Sequence, residues 1–151
     1  MTYTSQIILE LPLKQFATMF YNHDNLKHWH RGIESIEHVS GEPGEIGAKM
    51  KLNYNLKKRK IYLLETVVEN NLPYAMHFHY DSKGMHNIQQ NYFSQTPEGF
   101  TKWVCKNKFI PTNFSMYLMT KLTPKSFKEQ TMIYLKDFKN FAEKGISVQH
   151  A

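Results

Sequence analysis

The last third of this chain constrains its fold more than any other part. Between Phe114 and Ala142 apolar residues recur at helical spacing, with Phe127, Thr131, Tyr134, Leu135, Phe138, Phe141 and Ala142 on one face. Lys125, Lys128, Lys136, Lys139 and Lys144 fall largely on the other. Such a stripe must be buried, and the one apolar surface on offer is a face of the strands that precede it. The expectation is an α+β chain: a curved antiparallel sheet of about seven strands wrapped around a long C-terminal helix. A sheet that grips a helix in this way leaves a cavity between them, and function is expected there. Pro124 falls inside the helical stretch and should kink or split it. Thr123 is placed to cap the second part, Ser126-Lys-Glu-Gln begins like a capping box, and Gly145 supplies the stop.

The strands are read from their alternation. Gln6 to Leu11 is a short β-type run stopped by Pro12, which suits the first turn of a helix carrying Leu13, Phe16, Ala17 and Phe20. Asp24 or Asn25 can cap a second short helix with Leu26 and Trp29, ended by Gly32. Ile33 to Val39 follows as strand, and Gly41-Glu42-Pro43-Gly44 with Gly47 is turn and bulge chemistry. Met50, Leu52, Tyr54 and Leu56 alternate with Lys51, Asn53, Asn55 and Lys57, the pattern of a strand wet on one face. Ile61 to Glu69 is apolar on both faces and reads as central. Tyr74, Met76, Phe78 and Tyr80 oppose His77, His79 and Asp81. After Met85 to Gln95, the last strand sets Trp103, Cys105, Asn107 and Phe109 against Lys102, Lys106 and Lys108, up to Pro111.

Length and composition bound the rest. The 151 residues suffice for a single domain, 1–151, with a real core, and 41% hydrophobic content excludes a disordered chain. No apolar run is long enough to span a membrane, and the N-terminus lacks the pattern of a signal peptide. Cys105 is the only cysteine, so no internal disulfide forms, which suits a cytoplasmic location. The net charge is +6, but Arg31 and Arg59 are the only arginines among 19 basic residues. Lysine is a hydrated point charge poorly suited to planar phosphate and base recognition. The dense run Lys57-Lys58-Arg59-Lys60 therefore reads as a solvated hairpin tip, not a nucleic-acid site. Weak contact with a membrane surface stays open. Eight methionines suit a cavity that adapts to a greasy guest, or else fill an ordinary core.

Specific residues extend this reading. Asp24-Asn25-Leu26-Lys27-His28-Trp29-His30, Ser40-Gly41-Glu42-Pro43-Gly44-Glu45-Ile46-Gly47, Glu65-Thr66 and Trp103 resemble the START-like polyketide cyclase/dehydrase superfamily. Its members include the birch-pollen-allergen type and a type associated with carbon monoxide dehydrogenase. The resemblance spans essentially the whole chain and implies the helix-grip fold, with two short helices after the first strand. It also implies a deep hydrophobic cavity for a lipid, sterol, polyketide or similar molecule. The superfamily mixes enzymes with binders, so it does not choose between them.

On the alternation argument the cavity face carries Met50, Leu52, Tyr54, Met76, Phe78, Trp103, Cys105, Asn107 and Phe109, joined by Phe127, Thr131, Tyr134 and Phe138 from the helix. Glu65 stands alone in the apolar run Ile61 to Val68. Facing the cavity it would carry a raised pKa and serve as a general acid/base or hydroxyl acceptor; facing out it would pair with lysine. Asn107, with Gln89 and Asn91, could orient a polar head, or else these amides bond to each other or to backbone. His77, His79 and Asp81 share a strand face, but that face is expected to be wet and without a third well-spaced ligand, so no metal is predicted. In His28-Trp29-His30 the tryptophan is expected to pack and the histidines to be wet. Cys105 has no His/Asp partner pattern and reads as an inert thiol.

Three functions are consistent with these residues. The first is a binder of a small hydrophobic molecule, as monomer or homodimer and without a cofactor, with Tyr54, Glu65, Trp103, Asn107 and Tyr134 orienting the guest. The second is a cyclase or dehydratase with Glu65 and a tyrosine as acid/base pair. The third is a protein-interaction module like the Hsp90-activator branch of the superfamily, which predicts an occluded cavity and an exposed apolar patch.

Overall fold

The computed structural model describes residues 1–149. Strand β1 (Thr2–Leu9) leads into α1 (Leu13–Tyr21), a 3-10 turn (His23–Asn25) and α2 (Leu26–Trp29). Strands β2 (Ile33–Ser40), β3 (Lys49–Leu56), β4 (Arg59–Asn71), β5 (Ala75–Ser82), β6 (Met85–Gln95) and β7 (Thr101–Pro111) follow, then α3 (Phe114–Leu122) and α4 (Pro124–Lys144). The strands form one antiparallel sheet in the order β1-β7-β6-β5-β4-β3-β2. Only the β1-to-β2 connection crosses from one edge to the other, and α1 and α2 make that crossing. Register shifts within β2 and at Val67/Glu69 in β4 mark bulges, which bend strands and help the sheet curl.

Alternation is honoured where one face is wet. In β7, Trp103, Cys105 and Asn107 are buried while Lys106 and Lys108 are exposed. β4 lies inside the sheet as its composition requires, though Ile61 and Tyr62 near its start are exposed. At the β3–β4 tip Lys57 (φ 53°) and Lys58 (φ 67°) form a left-handed two-residue turn between paired Leu56 and Arg59.

The caps differ in detail from expectation. Pro12 precedes α1 rather than starting it, and its carbonyl accepts from the Phe16 N–H. Asn22, not Asp24 or Asn25, provides a side-chain cap, accepting from the Asp24 N–H at 3.0 Å to start the 3-10 turn. Asn25 instead donates to the Met19 carbonyl and ties the connector back to α1. Gly32 ends it at φ 77°.

The C-terminal helical stretch is split, not kinked. Pro124 occupies the first turn of α4, and the Thr123 hydroxyl donates to the Met119 carbonyl instead of capping α4. α4 turns Leu135 and Phe138 fully into the core, with Phe127, Thr131, Tyr134, Phe141 and Ala142 half-buried beside them. Asp137, also buried, receives two hydrogen bonds from Arg31, at 2.7 and 3.1 Å, which fasten α4 to the end of the connector. Lys139 donates to the Ile8 carbonyl and pairs with Glu143, fastening α4 to β1.

The core is an aromatic cluster at one end of the sheet. Phe138 meets Phe16, Trp29 and Trp103 edge-on, at centroid distances of 5.3, 5.0 and 5.6 Å, and Phe20 and Phe93 complete the group. α3 departs from the rule that an amphipathic helix buries its apolar stripe. Met116 and Thr120 point inward, while Phe114, Tyr117, Leu118, Met119 and Leu122 are exposed.

Candidate functional site

A cavity of about 260 Å³ lies between the sheet and α4, near the lower end of small-molecule sites. Apolar and aromatic residues of the sheet, connector and α4 form most of its wall, Phe20, Leu26, Leu63, Met76, Phe78 and Met85 among them. Of the residues predicted to face it, Tyr54, Glu65, Met76, Phe78, Trp103, Cys105, Asn107, Phe109, Phe127, Thr131 and Tyr134 all line it. Met50, Leu52 and Phe138 do not. Leu52 and Phe138 belong to the solid core, Phe138 packed on Phe16 of α1 and Trp29 of α2, and Met50 packs against that core.

Glu65 points into the cavity, not outward to a lysine. It is buried, and the Tyr80 hydroxyl donates to its Oε2 at 2.9 Å. Burial pushes its carboxyl up to about 7, only partly offset by that hydrogen bond. A group with such a value holds a proton part of the time near neutral pH, and can accept or donate. Burial also pushes the hydroxyls of Tyr54 and Tyr80 well above the ordinary range, with neighbouring Tyr134 and Glu65 adding to it for Tyr54, and Glu65 and Tyr54 for Tyr80.

His30 is the main departure from expectation. Instead of being wet it is buried in the wall, where its Nδ1 shares a 2.8 Å hydrogen bond with the Tyr54 hydroxyl. Burial lowers it to about 3, so the ring stays neutral. Its Nε2 and the neighbouring Trp29 Nε1 are buried with no hydrogen-bond partner among the described residues, and both residues line the cavity. Unpaired buried polar groups of this kind cost about 1–3 kcal/mol each unless something satisfies them. His28 does lie at the surface, where it bonds to Ser147 and stacks on Phe141.

Across β6 and β7 the amides form a ladder. Trp103 Nε1 donates to Asn91 Oδ1 (2.9 Å), Asn91 Nδ2 to Gln89 Oε1 (3.0 Å), and Gln89 and Asn87 both to Asn107 Oδ1 (3.4 and 3.1 Å). Asn107 Nδ2 donates to Cys105 Sγ at 3.3 Å. Asn107 and Asn91 are thus already engaged with one another's neighbours. The Cys105 thiol, pushed by burial up to about 12, remains protonated.

His77, expected to be wet, is covered. Its Nδ1 accepts from the Asn91 N–H, its Nε2 lies 3.3 Å from Glu69, and Tyr92 packs edge-on against the ring. His79 lies beside His86, which bonds to Asp81. Among the described residues no group of three or more His, Cys, Asp or Glu side chains is arranged to hold a metal ion.

Several wall residues lie beyond those that alternation assigned to the site. Tyr80 shares the expected face with Met76 and Phe78 and reaches the cavity as they do. Met85, Asn87 and Gln89 follow from the same alternation in β6. Phe20, Tyr21, His23, Trp29 and His30 come from the connector, whose placement depends on tertiary packing.

The chain has the helix-grip fold, a seven-stranded antiparallel sheet closed by a long C-terminal helix. No protein-family model matches the sequence, and no curated protein is detectably similar to it. Solved structures carry the likeness. Ara h 8.0201 superposes with a TM-score of 0.73 at 12% identity, over 94% of this chain and 97% of that one. Ginseng major latex-like protein 151 from Panax ginseng gives 0.72 at 13% identity, with the same coverage. DynU16, from the dynemicin biosynthetic locus, gives 0.73 at 9% identity over 99% of this chain and 49% of that one. At such identities the shared property is the fold.

Proposed function

We propose that this protein binds a small hydrophobic molecule, such as a lipid, sterol or polyketide, in the cavity between sheet and α4. The observation that carries this reading is an apolar, aromatic-walled space that α4 closes without filling. Burial of apolar ligand surface would supply most of the affinity, at about 25 cal/mol per Å² before association costs. The unpaired Trp29 N–H favours a guest with a hydrogen-bond acceptor at that end, and His30 Nε2 accepts or donates beside it according to tautomer. Glu65 and Tyr134 would meet a second polar group.

Native mass spectrometry of the purified protein, followed by solvent extraction, tests the reading directly. Trp29 and Trp103, the chain's two tryptophans, both line the cavity, so intrinsic fluorescence should report a titrated ligand. A protein that carries nothing and whose fluorescence ignores fatty acids, sterols and aromatic polyketides would sink the proposal. An enzymatic variant of the same reading rests on Glu65, whose carboxyl at about 7 is poised as a general acid/base and is oriented by the Tyr80 hydroxyl. Glu65→Gln should then abolish turnover of a bound substrate while leaving its binding; in a pure carrier it should alter affinity alone.

A further inference from the structure

The inverted helix α3 carries the inference, with the charges that surround it. Phe114, Tyr117, Leu118 and Leu122 stand at i, i+3, i+4 and i+8, the spacing of a buried stripe, yet they face solvent. Phe114 and Leu122 are 73% and 76% exposed, and Ile110 and Met119 extend the surface. Scattered exposed apolar residues need no explanation; a contiguous stripe does.

The strand register shows what shares this end. Ser82 pairs with Met85 and Met85 with Pro111, and the Thr112 N–H donates to the Gly84 carbonyl, so the β5–β6 turn adjoins the start of α3. β4 pairs with β5 only from Leu64 onward, so the β3–β4 tip overhangs at the same end of the sheet. That tip exposes Lys57, Lys58, Arg59 and Lys60 beside exposed Leu56, Ile61 and Tyr62. Lys83 crowns the β5–β6 turn, and Lys121, Lys125 and Lys128 follow the stripe, all exposed. Set against them are Glu34, which pairs with Lys60, Asp81, which bonds to His86, and Glu129.

We propose that this end of the molecule docks on an anionic lipid surface, with the α3 stripe in the headgroup–acyl boundary and the lysines on lipid phosphates. Two features favour lipid over other occupants. The charge is almost all lysine, a residue depleted from protein interfaces where arginine is enriched, whereas a diffuse anionic surface attracts it without demanding geometry. A second copy of the chain would bring like-charged ends together. Lysine stems also lie along apolar surface while their heads reach outward, as an interfacial helix requires. The cavity wall includes Ser82, Met85, Phe109, Phe127 and exposed Gln130 at this end, so docking would bring the cavity up to the bilayer. The proposal does not depend on the cavity's occupant.

Co-sedimentation of the full chain with vesicles tests it, using phosphatidylcholine alone and phosphatidylcholine doped with phosphatidylserine. The chain should pellet with the doped vesicles, less so as salt rises, and stay in solution with the neutral ones. Phe114→Ser with Leu122→Ser should weaken binding at least about 10-fold. Lys57→Glu, Lys58→Glu and Lys60→Glu together should weaken it on the order of 100-fold or more. All five positions are exposed, and circular dichroism and thermal midpoints would verify folding. Failure to pellet with doped vesicles at low salt overturns the proposal, as does binding that survives the α3 substitutions. Self-association in sedimentation velocity that the α3 pair abolishes, without vesicle binding, would assign the stripe to a second copy instead.

Discussion

Helices α3 and α4 adjoin in sequence and turn their apolar stripes opposite ways. α4 buries Leu135 and Phe138 and closes the cavity; α3 exposes Phe114, Leu118 and Leu122. Their phase explains the contrast. At about 100° per residue, Phe114, Leu118 and Leu122 fall in line with Lys125, Glu129 and Lys136, the outward side of α4. Met116 and Thr120 fall in line with Phe127, Thr131, Tyr134 and Phe138, the inward side. Burial shows the same phase turned inward on both sides of the break at Thr123–Pro124, so the stripes diverge because the outward face changes from apolar in α3 to charged in α4. Periodicity identifies which residues share a face. Which way that face points follows from its phase relative to a neighbour that is anchored.

Substitutions can break this contrast. The largest effect is expected in α4: Phe138→Ala removes a ring wedged among Phe16, Trp29 and Trp103 and should cost about 3–5 kcal/mol by urea denaturation. A loss below about 1 kcal/mol would mean that α4 is not the keystone of the core.

Next comes the cavity that α4 closes. Glu65 is held at about 7 against an ordinary 4.5, so its contribution is fully present below about pH 4.5 and is lost as pH rises through about 7, on the order of 3 kcal/mol. His30, lowered to about 3, has the opposite sign: its contribution is present above about pH 6.5 and is lost as pH falls toward 3. Glu65→Gln should remove the first dependence alone, so the stability of the variant relative to wild type should grow from about pH 4 to about pH 8. A constant difference would place Glu65 in water. Tyr80→Phe removes the donor to Glu65; it should cost about 1 kcal/mol and raise the carboxyl further, read by NMR titration. The smallest effect belongs to α3, where Phe114→Ser or Leu122→Ser should shift folding stability by no more than about 0.5 kcal/mol. A larger loss from either would mean the stripe is covered.

Much of this architecture was legible because the strands are wet on one face. Alternation in β3, β5 and β7 placed Tyr54, Met76, Phe78, Trp103, Cys105, Asn107 and Phe109 together on the cavity wall. It could not separate cavity from core along one face of β3 or of α4, because only tertiary packing sets Leu52 and Phe138 apart from their cavity-facing neighbours. It left Glu65 open between two sides, since a strand apolar on both faces carries no phase. The connector was the least legible region. His30 lies in a segment too short for periodicity, and its burial follows from Trp29 packing on Phe138 and from the bond to Tyr54. The outward stripe of α3 does carry a signal in the sequence: it is out of register with the α4 stripe.

The tip between β3 and β4 has a consequence for the energetics of its hairpin. Two consecutive lysines adopt left-handed backbone there, a conformation that Asn-Gly enters freely and other L-residues reach at roughly 1–2 kcal/mol each. Replacing Lys57 and Lys58 with Asn and Gly should raise the denaturation midpoint and, on the docking proposal, weaken vesicle binding in the same molecule. The hairpin would then record a compromise between a relaxed backbone and two positive charges held at the furthest reach of the sheet.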